Sequence, residues 1–377
     1  MNKSRKEVYS GGSYRRPLGL LTVSIAAVSL TSGLADPLVG DSNAVAVTSP
    51  PQNKIIATVP LESTGTMPAG AAVSNDNSTV YVCNSESNDV VVIDAATNKV
   101  TGSIRIPGDG NPVRCVLTPD GQTLYVANTG TYQITAVSTA NKSVTATITP
   151  PAGVADLAMA PSGKQVYATS YNNNINVIDV GSTTISKTLP LGSASAQLVF
   201  TPDGKQADIL CLEILNDNEV GNRFLSTIET GTGKVVKTNG AAGRLIYPSS
   251  IAMDPSGTAL FVVDQINYVT VVDPVSCKVK RAFLVAPSDS MNLYAGQPAV
   301  TLNGNYLYVP YDYTLDPGNN LTWQNQVAMF DVATGKIVGS PIRVGKGPNF
   351  CTIAPNGKTL YVSNGADGTV TVIDIAP

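Results

Sequence analysis

The chain has 377 residues, 43% of them hydrophobic and 14% charged, with a formal net charge of −3. It contains no histidine, which excludes Ser-His-Asp and Cys-His catalysis and histidine-ligated haem or zinc; with no C-x-x-C-H, covalent c-type haem is excluded too. The mildly acidic balance, with no run of Lys and Arg past the N-terminal segment, argues against nucleic acid held by counterion release.

Residues 1–17 carry Lys3, Arg5, Lys6, Arg15 and Arg16 against a single acid, Glu7, and residues 18–35 carry no charge. Small residues follow at Gly33-Leu-Ala35 and Ala44-Val-Ala46. This is the order of a signal peptide, and it predicts export with cleavage after Ala35 or as late as Ala46, then a linker over 36–52. A retained anchor is the alternative, since the uncharged stretch is near the lower limit for a span. The Arg15-Arg16 pair precedes Pro17, so Sec and twin-arginine routes both stay open. Cleavage after Ala35 leaves 19 basic against 26 acidic residues.

One module then recurs seven times. In its second copy it reads Thr118-Pro-Asp-Gly-Gln-Thr-Leu-Tyr-Val-Ala-Asn128, and in its seventh Ala354-Pro-Asn-Gly-Lys-Thr-Leu-Tyr-Val-Ser-Asn364. The others align without gaps at 74–84, 160–170, 201–211, 254–264 and 301–311. The tyrosine column reads Tyr81, Tyr125, Tyr167, Asp208, Phe261, Tyr308, Tyr361, with spacings of 44, 42, 41, 53, 47 and 53. A period of about 40–50 residues made of short strands predicts propeller blades.

Within a blade, a short inner strand of small residues leads into a Pro-Asp-Gly turn, where Pro presets φ and Gly supplies the positive φ. The tyrosine strand follows, then a β-branched strand such as Val90-Val-Val-Ile-Asp94, then an outer strand. Acids close the third strands at Asp94, Asp179, Glu229, Asp273, Asp331 and Asp374, with Ser138 in the second blade. They are read as caps of the turn that follows rather than as a metal ring. The chain ends after the third strand of its last blade, while 53–60 has the pattern of a fourth strand. The N-terminal strand is therefore expected to complete the last blade and cover its edge. The expected fold is an all-β, seven-bladed propeller of four-stranded antiparallel blades over 53–377.

The Tyr81-Val-Cys-Asn84, Tyr125-Val-Ala-Asn128 and Tyr361-Val-Ser-Asn364 tetrads, with the Pro-Asp-Gly turns and Val-Ile-Asp strand ends, resemble the YVTN β-propeller repeat family. The resemblance covers 53–377 and departs most in blades 4 and 6, at Asp208 and at Thr301-Leu-Asn-Gly304. It implies an exported or surface propeller and no single activity; related propellers include lactone hydrolases and subunits of quinone- or haem-dependent dehydrogenases.

The Pro-Asp-Gly and Ala-Thr-Gly-Lys turns hardly change length, so the variable connections share the opposite face, where binding residues on a scaffold tend to sit. Blade 4 inserts 213–223 and blade 6 inserts 312–326. Where each inner strand begins, a ring of Gly70, Arg114, Asp156, Gln197, Ser250, Gln297 and Phe350 should surround the axis near that face. Arg114 and Asp156 read either as a structural pair or as part of a polar mouth. The candidate ligand-binding residues are Arg114, Asp156, Gln197, Asp264, Gln297, Tyr311, Asp312 and Trp323, with no catalytic residue, metal or cofactor assigned. Calcium is the metal the composition best permits, but no calcium-loop spacing occurs. The leading expectation is an exported, monomeric, non-catalytic scaffold for a small ligand or an envelope or surface protein. The alternatives are a lactonase-like hydrolase using carboxylates and Arg, and a structural surface module. Without histidine, any activity should lack a histidine-type transition between about pH 6 and 7, and chelation of zinc should have no effect. Five cysteines, Cys83, Cys115, Cys211, Cys277 and Cys351, leave at least one thiol unpaired, and a Cys83–Cys115 bridge between adjacent blades is conceivable.

Overall fold

In this computed structural model the described residues are 50–377 apart from 62–65, 152, 215–219, 240–247, 266, 287–291 and 316–320; the expected signal peptide and most of the linker lie outside them. The strands sort into seven antiparallel sheets arranged as blades. Six have four strands, and the sixth blade has five because its inner strand is split into Asn292–Ala295 and Ala299–Val300. Among the described residues no helix is long and apolar enough to cross a membrane.

Burial follows position in the blade. The second and third strands are covered on both faces by neighbouring blades, so Thr123–Asn128 and Asp89–Asp94 are buried almost throughout. Outer strands such as Lys99–Arg105 alternate exposed and covered residues, because one face meets solvent. The ring closes as expected: Lys54–Pro60 pairs antiparallel with Thr369–Asp374 and so supplies the outer strand of blade 7. Asn53 fixes that strand from the other side, accepting from the Tyr308 hydroxyl at 2.7 Å.

The tyrosine column has a structural cause. The tyrosine rings are buried between blades, and in blades 2 and 3 the hydroxyl reaches the turn between the third and fourth strands of the next blade. Tyr125 donates to Val180 O at 3.4 Å and Tyr167 to Thr230 O at 3.1 Å. The acids closing the third strands cap those same turns: Asp94 accepts from Thr97 N at 2.8 Å, Asp179 from Ser182 N at 2.8 Å and Asp331 from Thr334 N at 2.6 Å.

The Pro-Asp-Gly turns also pack on one another around the opposite face. The turn glycine of one blade lies on the turn proline of the preceding blade: Gly204 on Pro161 and Gly257 on Pro202. Gly257 has φ +72°, and a Cβ there would lie 2.7 Å from Pro202 Cδ. Gly257→Ala is therefore expected to destabilise the propeller by about 2 kcal/mol, from backbone strain and overlap together. A urea midpoint unchanged by this substitution would show that the turn ring is loose.

Candidate functional site

The inner strands open with a Pro two residues ahead of the ring position in blades 1, 2, 5 and 7: Pro68, Pro112, Pro248 and Pro348. Between that proline and the ring residue the pairing register slips, as at Pro112/Arg114, Pro248/Ser250 and Pro348/Phe350. Blade 4 has the same slip at Ser195/Gln197. Proline is tolerated at bulges because it has no N–H to lose, and a bulge re-aims the next side chain. Here the re-aimed side chains gather at the axis.

They form two bridges. Arg114 of blade 2 puts its guanidinium 4.6 Å from the ring centroid of Phe350 in blade 7, reaching across blade 1. It can do so because blade 1 contributes Gly70, whose added Cβ would sit 3.2 Å from Arg114 Cδ. On its other side Arg114 Nε lies 3.0 Å from Asp156 Oδ1 in blade 3. The second bridge joins blades 4 and 6 across the small Ser250 of blade 5. Gln197 Nε2 donates to Gln297 Oε1, Gln197 Oε1 accepts from Ile251 N at 2.7 Å, and Gln297 Nε2 donates to Ile251 O at 2.8 Å. The glutamines therefore satisfy each other and the strand between them.

The arginine bridge is not closed in this way. Neither terminal nitrogen of Arg114 has an acceptor among the described residues, and its side chain is 18% exposed. Asp156 is buried; burial pushes its carboxyl above the usual range, against the pull of Arg114, and among the described residues its Oδ2 has no hydrogen-bond partner. The arrangement can hold a guanidinium rigidly with one edge left for an acceptor.

The other candidates lie apart from this ring. Asp264 is buried and accepts from Tyr268 N at 2.8 Å, holding the connection after its strand. Tyr311 is buried, donates to Gln326 Oε1 at 2.5 Å, and is pushed up to about 12 by burial. Asp312 is half-buried, accepts from Gly347 N at 3.3 Å, and is pushed up to about 6 by burial. Trp323 is 58% exposed. The insertions of blades 4 and 6 are not plain loops, because they prolong the second and third strands. Gln206–Ile214 pairs with Val220–Glu229, and Tyr306–Leu315 pairs with Leu321–Asp331, with Trp323 opposite Tyr313.

The sequence did not assign Phe350 or Gly70 to the site, although both stood in the ring column; what singles them out is contact across the axis. Arg223 is a further cation on this face. Its Nη1 donates to Pro248 O at 2.8 Å, and burial lowers its pKa.

A family model described as a domain of unknown function (DUF5074) matches residues 60–208, that is blades 1 to 3 and part of blade 4. No curated protein matches the sequence. Among solved structures, the Kuenenia stuttgartiensis hydrazine synthase is similar at a TM-score of 0.69 with 23% identity, over 83% of this chain and 97% of that one. At that identity the likeness speaks to the fold alone, and the fold is an all-β seven-bladed propeller.

Proposed function

We propose that this chain is an exported, non-catalytic binding propeller that takes a small anion at the axial mouth through Arg114. The observation that carries this reading is the open edge of the Arg114 guanidinium, held between Asp156 and Phe350 with no protein acceptor for its terminal nitrogens among the described residues. A planar guanidinium fixed in this way presents two parallel donors to a carboxylate or phosphate, and charge-assisted bonds of that kind are the strong ones. Asp156 neutralises the charge only from the Nε side, so affinity should be modest and set by geometry. The basic and apolar N-terminal segment, and the likeness of the tetrads to repeats of exported propellers, support placement outside the cytoplasm.

Titration calorimetry with succinate, phosphate and sulfate tests the site. At least one of these should bind the wild type, and Arg114→Ala should weaken it about 10- to 100-fold. Asp94→Ala, which removes a turn cap on the opposite face, should leave affinity unchanged. Equal affinity in Arg114→Ala would place the site elsewhere, and no binding to the wild type would overturn the reading.

A further inference from the structure

Two of the five cysteines meet across a blade interface. On the second strand of blade 1, Tyr81 and Cys83 point the same way, because side chains alternate along a strand. Both join the buried cluster that fills the space between blades 1 and 2, together with Cys115, Leu124 and Val126. Cys115, on the inner strand of blade 2, faces back toward that strand, its Sγ 3.7 Å from Tyr81 O and 4.0 Å from Gly70 O. All five cysteines are free thiols in this structure. Cys83 and Cys115 share that cluster, and burial first, then the neighbouring Cys115, pushes the Cys83 thiol well above its ordinary range.

The match is particular to this interface. Cys351 occupies the register of Cys115 in blade 7, but position 310 of blade 6, the counterpart of Cys83, is proline. Cys351 and Cys211 sit in separate clusters, remote from the pair.

We propose that Cys83 and Cys115 form a disulfide that staples blade 1 to blade 2. Each thiol loses its hydrogen, one S–S bond forms, and two electrons and two protons pass to an oxidant of the disulfide class, whose own S–S bond is cleaved to two thiols. A buried thiol that resists ionisation is a poor nucleophile, so the bond closes during folding, before the interface dries. Cys115 directly follows Arg114, so the staple also anchors the strand that carries the guanidinium.

The proposal does not depend on what the axial mouth binds. The full chain is denatured, reduced, and refolded in a glutathione redox buffer, which makes the test independent of export as well. The refolded protein should be about 2 Da lighter than its reduced form. A non-reducing tryptic digest should link peptide 55–99 to peptide 115–142. Dithiothreitol should lower the melting temperature by about 5 °C, the effect expected for a closed loop of about 30 residues in a domain of this size. Cys351→Ala should keep the link and Cys115→Ala should abolish it; if the latter fails to fold, the wild-type digest still decides. Full alkylation of both Cys83 and Cys115 after denaturing the refolded protein would overturn the proposal, as would linkage of either to another cysteine.

Discussion

Deletion of residues 47–60 is expected to cost the propeller about 5 kcal/mol, a large part of the stability of an ordinary domain. The segment supplies the whole outer strand of blade 7, paired from Lys54 to Pro60 against Thr369–Asp374. It buries Val59, 2% exposed, and its removal uncovers Leu61, 3% exposed, at the junction with blade 1. Full burial of two such side chains contributes about 3–6 kcal/mol. The deletion also strips Tyr308 of its Asn53 partner and opens a paired edge to other chains. Thermal or urea unfolding of the truncated protein checks this. A melting temperature equal to that of the full chain would mean that the last blade stands without its borrowed strand. Truncation to residue 46 should be neutral, because pairing begins only at Lys54.

The pH profile of stability should be equally telling. Asp208 stands where the repeat places tyrosine, 1% exposed, and burial pushes it from 3.8 up to about 6. The Thr227 hydroxyl, donating to Oδ1 at 2.6 Å, and the charge of Lys237 oppose that rise, while among the described residues Oδ2 has no donor. Above about pH 6 the folded protein carries a buried carboxylate at a cost that the unfolded chain avoids. As pH falls through about 6 the folded state takes up the proton, while the unfolded chain does so only near 3.8, so stability rises across that window. The shift corresponds to about 3 kcal/mol. Asp312, half-exposed and also raised to about 6, adds a smaller increment of the same sign. The opposite trend sets in lower down. Asp76, through its Ser74 and Ser78 bonds, and Asp273, through the Ser276 N–H and Lys280, are held at about 2, so their contribution is lost as pH falls from 3.8 towards 2. Maximum stability is therefore expected near pH 4–5. Asp208→Asn should flatten the rise between about pH 6 and 4, leaving only the Asp312 part. Parallel wild-type and mutant profiles would show that Asp208 does not titrate in this window. The transition near pH 6 in stability is therefore a carboxylate one, from two aspartates moved up by burial in a chain without histidine.

Asp208 also shows where reading the sequence stops. Its place in the tyrosine column marked it as a departure from the repeat, but not as a buried acid. The Tyr125 hydroxyl spans the gap to the turn of the next blade, 3.5 Å from Thr183. Asp208 is too short for that span, and Thr227 fills it instead, with its hydroxyl 3.4 Å from the Cys277 sulfur. The exchange becomes visible only when two blades are set side by side.

What the sequence by itself determined was local. Blade number follows from the seven-fold recurrence of one module, and strand order, closure by the N-terminal strand and the turn caps from a period-2 pattern and from turn chemistry acting within about five residues. Asp94 capping Thr97 N is such a case, legible because donor and acceptor are three residues apart. Tertiary structure alone decided the rest. That Arg114 stacks on Phe350 while Gln197 locks to Gln297 depends on bulges that re-aim the side chains, and on Gly70 and Ser250 leaving room in the blades between. The insertions of blades 4 and 6 became prolonged hairpins because their strands keep pairing past the body of the blade, as Tyr313 does with Trp323. Contacts around the axis join residues 100 positions apart, as for Gln197 and Gln297, or more than 200 apart, as for Arg114 and Phe350, and no short-range pattern encodes them. They arise from the convergence of seven inner strands on one line, which is a property of the closed ring.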